Sequence, residues 1–189
     1  MKRTARDIFL SAIFLFAGLP AGQLTGQEAG SAIKQLSPLQ QVYLLKQIKP
    51  DIKRIGILCN LENRAALPKV LSRISAQFKI KIVLYDTRKK QNLAKNFKAL
   101  VKKEKADAVW VFPDEVLNYK SATQYLIKQA VTSKIILVTY DPEQVKKGAT
   151  LAARIENGEM KVYINQKAAD MLGLHPGEQL SNSASIVMN

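Results

Sequence analysis

Four apolar runs in this chain end in side chains suited to holding a small polar molecule. Residues 55–59 (Ile-Gly-Ile-Leu-Cys) are followed by Asn60, Glu62 and Asn63. "KIKIVLYDT" ends at Thr87, "ADAVWVFPD" ends at Asp114, and "KIILVTYDP" carries Tyr140 and Asp141 near its end. Amides and a hydroxyl there donate and accept hydrogen bonds, Tyr140 offers an aromatic face, and the carboxylates suit an ammonium group. The competing role for Asn60, Asp114 and Asp141 is local, because short polar side chains after a strand often cap the helix that follows.

No catalytic constellation joins these residues. The loop 59–64 has no glycine to let a phosphate approach the backbone, so dinucleotide binding is excluded, and the chain contains neither GxxxxGK[ST] nor GxSxG. Glu62 stands alone where a phosphorylation-receiver domain gathers several acids. The single cysteine, Cys59, rules out an intramolecular disulfide and any multi-cysteine metal site. A nucleophilic thiol would need a base and a third orienting group, and the only histidine, His175, lies far along the chain. Cys59 therefore reads as a buried thiol at a strand end. The sequence asks for no metal, no cofactor and no enzymatic activity.

The elements that must position these residues follow from periodicity. Short apolar runs bounded by polar residues read as strands buried on both faces, hence as a parallel sheet covered by helices. Ser37 and Pro38 open a helix with Leu39, Val42, Leu45 and Ile48 on one face, and Pro50 ends it. Further helices are expected over 65–78, within 88–105 and over 119–131, and strands over 52–59, 79–87, 106–114 and 134–142. This alternation predicts right-handed βαβ units and an α/β fold with one doubly wound, mainly parallel sheet of flavodoxin type. In the order 2-1-3-4-5 the first and third strands are neighbours, so Asn60 and Asp114 should share the rim of the crevice at the switch point. Beyond Pro142, Asn157-Gly158 predicts a hairpin turn, and Gly173 ends a short helix over 166–172. The expected organisation is a leader (1–22), a polar linker (23–36), one lobe (37–180) and a tail (181–189) that supplies an edge strand.

The leader rests on Lys2, Arg3 and Arg6 followed by the apolar residues 8–19, a run too short to span a bilayer but of signal-peptide length. The alternative is an amphipathic or buried N-terminal helix. With no cysteine after the run, no lipid anchor is expected, and the protein is read as exported to the periplasm. Its net charge is +14. Lys95, Lys98, Lys102 and Lys105 recur opposite Leu93, Phe97, Leu100 and Val101, giving an amphipathic helix with a lysine-covered face. That face reads first as solvated and second as weakly attractive to anionic headgroups or an acidic partner. No nucleic-acid partner is expected, since aromatic and basic residues are not interleaved.

"PDIKRIGILCNLEN", "ADAVWVFPD" and "GATLAARIENGEMKVYINQKAADMLGL" together resemble the ABC transporter substrate-binding family with the type 1 periplasmic binding fold. Pro50, Asn60, Pro113-Asp114, Gly148-Ala149 and Ile164-Asn165…Lys167…Ala169…Leu172-Gly173-Leu174 carry the resemblance, which spans roughly residues 37–174. It implies a solute-binding component of an ABC-type uptake system, with a small polar solute and a membrane permease as partners. Members of the family typically have two similar lobes, whereas the matching region here resembles the second lobe only. A single lobe cannot close a hinge around its ligand. The second reading is therefore a periplasmic protein-interaction or sensory accessory module, docking another exported protein or self-pairing as a homodimer.

Overall fold

The computed structural model describes residues 33–62, 64–115, 117–174, 176–177, 180 and 185–188. The expected leader, most of the linker, Asn63 and His175 lie outside the described residues. In chain order the elements are β1 (Ile33–Gln35), α1 (Pro38–Ile48), β2 (Arg54–Cys59), α2 (Leu67–Phe78), β3 (Lys81–Asp86), α3 (Asn92–Lys102) and β4 (Ala108–Val111). They continue with α4 (Lys120–Ser133), β5 (Ile136–Thr139), α5 (Pro142–Lys146), β6 (Leu151–Glu156), β7 (Glu159–Ile164), α6 (Gln166–Leu172) and β8 (Ser185–Met188).

The sheet runs β3-β2-β4-β5-β6-β7-β8, and β1 pairs with β6. Strands β3, β2, β4, β5 and β6 are parallel neighbours. The flavodoxin-type order expected from the sequence is therefore present. β6 and β7 form the antiparallel hairpin. Its turn places Asn157 at φ 53° and Gly158 at φ 85°, the positive angles that a two-residue type I′ turn requires. β8 adds a parallel edge strand on β7. β1, in the stretch read as a polar linker, pairs with Arg154 to Glu156 of β6, on the side where β5 pairs with Leu151 and Ala152.

Two apolar clusters hold helices to the two faces. Ile55, Ile57, Cys59 and Trp110 face α1 and α2, with Leu45, Leu71 and Ile74 among their partners. Leu58, Val109, Val111 and Leu137 face α3 and α4 through Phe97, Leu100 and Leu126. Each such side chain contributes about 1.5–3 kcal/mol when fully buried. Gly56 is needed for the second contact, because a Cβ there would stand 2.7 Å from a Leu100 methyl carbon. Ser37 caps α1 in a reciprocal box, its Oγ accepting from the Gln40 N–H at 3.3 Å while Gln40 Oε1 accepts from the Ser37 N–H at 2.9 Å.

The elements are shorter than the apolar runs suggest. β4 stops at Val111, so residues 112–114 belong to the loop, and β5 covers only Ile136–Thr139. The helix α5 was not expected. Asp141 caps it by accepting from the Glu143 N–H at 2.9 Å, and Pro142 occupies its first turn.

Candidate functional site

The C-terminal edge of the parallel strands gathers the polar loops. Asp114 joins two of them: its Oδ2 accepts from the Asn60 N–H at 2.8 Å and its Oδ1 from the Leu117 N–H at 2.9 Å. Asn60 and Asp114 are thus brought together, as the neighbouring positions of β2 and β4 require. The Asn60 side chain turns inward on its own loop, accepting from the Glu62 N–H at 2.9 Å. Arg64 fastens the same junction, donating to the carbonyls of Asn60 (2.9 Å) and Pro113 (3.1 Å). Its guanidinium lies 5.6 Å from the centre of the Phe112 ring.

Charge is strongly biased around this junction. Burial disfavours ionisation of Asp86, but hydrogen bonds from Arg88 and the Leu61 N–H, together with the Arg88 charge, hold its carboxyl below the usual carboxylate range. The Arg88 Nε to Asp86 Oδ2 distance is 2.6 Å. The Cys59 thiol beneath is fully buried, and burial pushes its pKa up to about 12, with Arg64 opposing and Asp114 and Asp86 reinforcing the shift. This is the environment of an inert thiol.

Open space is present one strand further along. A cleft of about 320 Å³ sits at the ends of β4 and β5, lined by Val111, Phe112, Pro113, Leu117, Asn118, Thr139, Tyr140, Asp141, Gln144 and Arg154. That volume is at the lower end of small-molecule sites. Tyr140 and Asp141, both part-buried, offer a phenol ring and a carboxylate. Asp141 Oδ1 is engaged in capping α5. Arg154 reaches the cleft from β6, steered by Glu156, whose Oε1 accepts from Arg154 Nε at 2.5 Å and from the Tyr163 hydroxyl at 2.6 Å. Those two bonds, Tyr163 first, pull the Glu156 carboxyl down to about 2.

The sequence candidates therefore divide. Tyr140 and Asp141 line the cleft, Asn60 and Asp114 form the adjoining junction, and Glu62 is exposed at the loop surface. Thr87 follows β3 with no exposed surface, and its hydroxyl has no partner among the described residues. Asn63 lies outside the described residues. Sequence reasoning missed Arg64, Asn118, Gln144 and Arg154. For Arg154 the sequence offered no signal, because Leu151, Ala152 and Ala153 before it are all buried and show no alternation. Among the described residues no group of three or more His, Cys, Asp or Glu could hold a metal ion.

Solved structures show the same fold. A conserved domain protein from Vibrio cholerae aligns at TM-score 0.65 and 24% identity, over 82% of this chain and 61% of that one. An ABC domain in complex with L-Trp from Streptococcus pneumonia aligns at TM-score 0.65 and 20% identity, over 79% and 62%. The ligand-free, open structure of CD0873, a substrate binding protein with adhesive properties from Clostridium difficile, aligns at 0.64 and 19%, over 82% and 61%. The chain thus spans about three fifths of the length of these structures. A comparison with curated proteins returns no match. The profile described as ABC transporter substrate binding protein matches residues 17–186, and the chain belongs to that family.

Proposed function

We propose that the protein is an exported solute-binding component of an ABC-type uptake system, taking a small polar solute in the cleft at the ends of β4 and β5 and passing it to a membrane permease. The observation that carries this reading is the cleft itself: about 320 Å³, with Tyr140 and Asp141 on its wall, in a member of a substrate-binding family. Tyr140 packs on the solute, Asp141 accepts from an ammonium or N–H group, and Arg154, Asn118 and Gln144 complete the polar lining. Asn60 and Asp114 hold the rim in place from the neighbouring strand. Glu62, exposed in the loop after β2, contributes from the same edge. Export to the periplasm is supported by the family and by the apolar residues 8–19. No helix among the described residues is long and apolar enough to cross a membrane.

The Streptococcus neighbour carries L-Trp, which makes L-tryptophan the first probe, followed by other amino acids and small polar metabolites. Thermal shift followed by calorimetry on the purified protein should identify a binder. Asp141→Asn preserves the cap on α5, since asparagine caps as well as aspartate. It should weaken binding at least tenfold by removing a charge-assisted hydrogen bond. Unchanged affinity in that variant would refute the assignment of Asp141.

A second reading has its own observation. An apolar groove of about 510 Å³ runs between α1, α2 and the hairpin, lined by Leu39, Tyr43, Phe78, Ile155 and Met160. Leu39 and Tyr43 are 43% and 50% exposed. This surface suits an accessory module that binds another exported protein or a second copy of itself. Light scattering across a concentration series tests self-pairing, and Tyr43→Glu should abolish any dimer that uses the groove.

A further inference from the structure

Helices α3 and α4 cover one face of the sheet, and neither contains an acidic residue. Their outer surface presents Lys95, Lys98 and Lys102 from α3, and Lys120 and Lys128 from α4, all exposed. None of the five has an ion pair among the described residues. Of the acids flanking these helices, Glu115 is exposed in the loop before α4, and three others are engaged. Glu104 pairs with Lys81 at 2.9 Å, Asp107 accepts from the N–H groups of Lys53 and Arg54, and Asp114 joins Asn60 to Leu117. Beside α4 a groove of about 540 Å³ brings Lys120, Lys128 and Lys147 around Thr123 and Ile127, with Asp141 at its border.

The composition of this face selects among anionic partners. All the cations of α3 and α4 are lysines. Arginine is the residue of bidentate phosphate recognition and of protein hot spots, and lysine is depleted from protein–protein interfaces. A field of unpaired lysines suits a diffuse layer of negative charge. Tyr119 and Val131, 56% and 43% exposed, lie among the lysines, and Lys90 Nζ stands 5.2 Å from the centre of the Tyr119 ring. A lone exposed tyrosine gives no platform for stacking successive bases, but an amphipathic ring beside lysines is what a membrane interface accepts.

We propose that the α3/α4 face docks on the anionic headgroup layer of a lipid membrane, with the groove at Lys120, Lys128 and Lys147 seating a phosphodiester headgroup. Contact is electrostatic and reversible, each lysine strengthening binding about fivefold at low salt. The groove shares Asn118, Asp141 and Gln144 with the cleft, while the lysines of α3 stand apart from it, so vesicle binding through α3 does not depend on a solute.

The test is cosedimentation of the full chain with vesicles of phosphatidylglycerol mixed into phosphatidylcholine, against pure phosphatidylcholine. Binding should require phosphatidylglycerol and should disappear between about 0.1 M and about 1 M salt, as the screening length falls from about 10 Å to about 3 Å. The variant K95Q/K98Q/K128Q should lose on the order of a hundredfold in affinity. The variant K69Q/R73Q/K167Q, with the same change in net charge on the helices of the other face, should stay within about twofold of the unmodified chain. Equal losses in the two variants would overturn the proposal, because net charge rather than this face would then be responsible. Binding to pure phosphatidylcholine at the same affinity would overturn it too, as would displacement from vesicles by an equimolar single-stranded oligonucleotide. Circular dichroism melts of both variants confirm that each remains folded.

Discussion

Asp114 accepts two backbone N–H groups, from Asn60 and Leu117, so its first task is to join the loops after β2 and β4. Replacing it with alanine removes both charge-assisted bonds and should cost about 3 kcal/mol in urea-induced unfolding, with asparagine costing about half as much. Glu156 should be felt in acid. Its folded pKa of about 2 lies below the ordinary 4.5, so the stability it contributes is complete above about 4.5 and lost as pH falls toward 2. Glu156→Gln should flatten that acid limb of a stability–pH curve. Cys59 shows the opposite sign: with its pKa raised from 9.0 to about 12, its contribution is complete below 9 and lost as pH rises toward 12. A thiol reagent at pH 8 should leave the folded protein unlabelled and react once it is unfolded. At this scale the sequence revealed the Asn60–Asp114 meeting, because polar residues ending neighbouring parallel strands must share an edge. It did not reveal Arg64 and Arg154, whose roles depend on how far a long side chain reaches across the fold.

Gly56 and Leu100 fix how α3 lies on β2, and the gap at Gly56 is filled by leucine methyls. Gly56→Ala should cost about 1–3 kcal/mol by overpacking. In the double variant with Leu100→Ala the added methyl has room, so the two costs should be clearly less than additive in a denaturation cycle. Strands β2 to β5, the hairpin and α6 were legible because each had a local signature: apolar runs, Asn157-Gly158, and Gly173 at the end of α6; β1, in the stretch read as a linker, was not. The element boundaries were not. Phe112 extends the apolar run past the last ladder pair of β4, at Val111, and burial alone cannot distinguish a strand residue from a buried loop residue. α5 was missed although Asp141-Pro142-Glu143 is a fair helix start, because five residues carry too little periodicity to register.

In the molecule as a whole, β1 lies alongside β6 where β5 ends, and Arg154 of β6 reaches the open space next to Tyr140 and Asp141. Asp114 and Arg64 bond across the loops after β2 and β4, and the cleft described here lies at the ends of β4 and β5. The strand order was readable from alternation alone; the position of the open space was not, because it depends on which loop side chains bond to one another. The central claim is that this cleft is the solute site. The most direct measurement is amide NMR of the labelled protein titrated with the solute that thermal screening identifies. We expect the shift changes to concentrate at Asn118, Tyr140, Asp141, Gln144 and Arg154. Changes centred instead on Leu39, Tyr43, Phe78 and Met160, with the β4–β5 edge unmoved, would contradict the account.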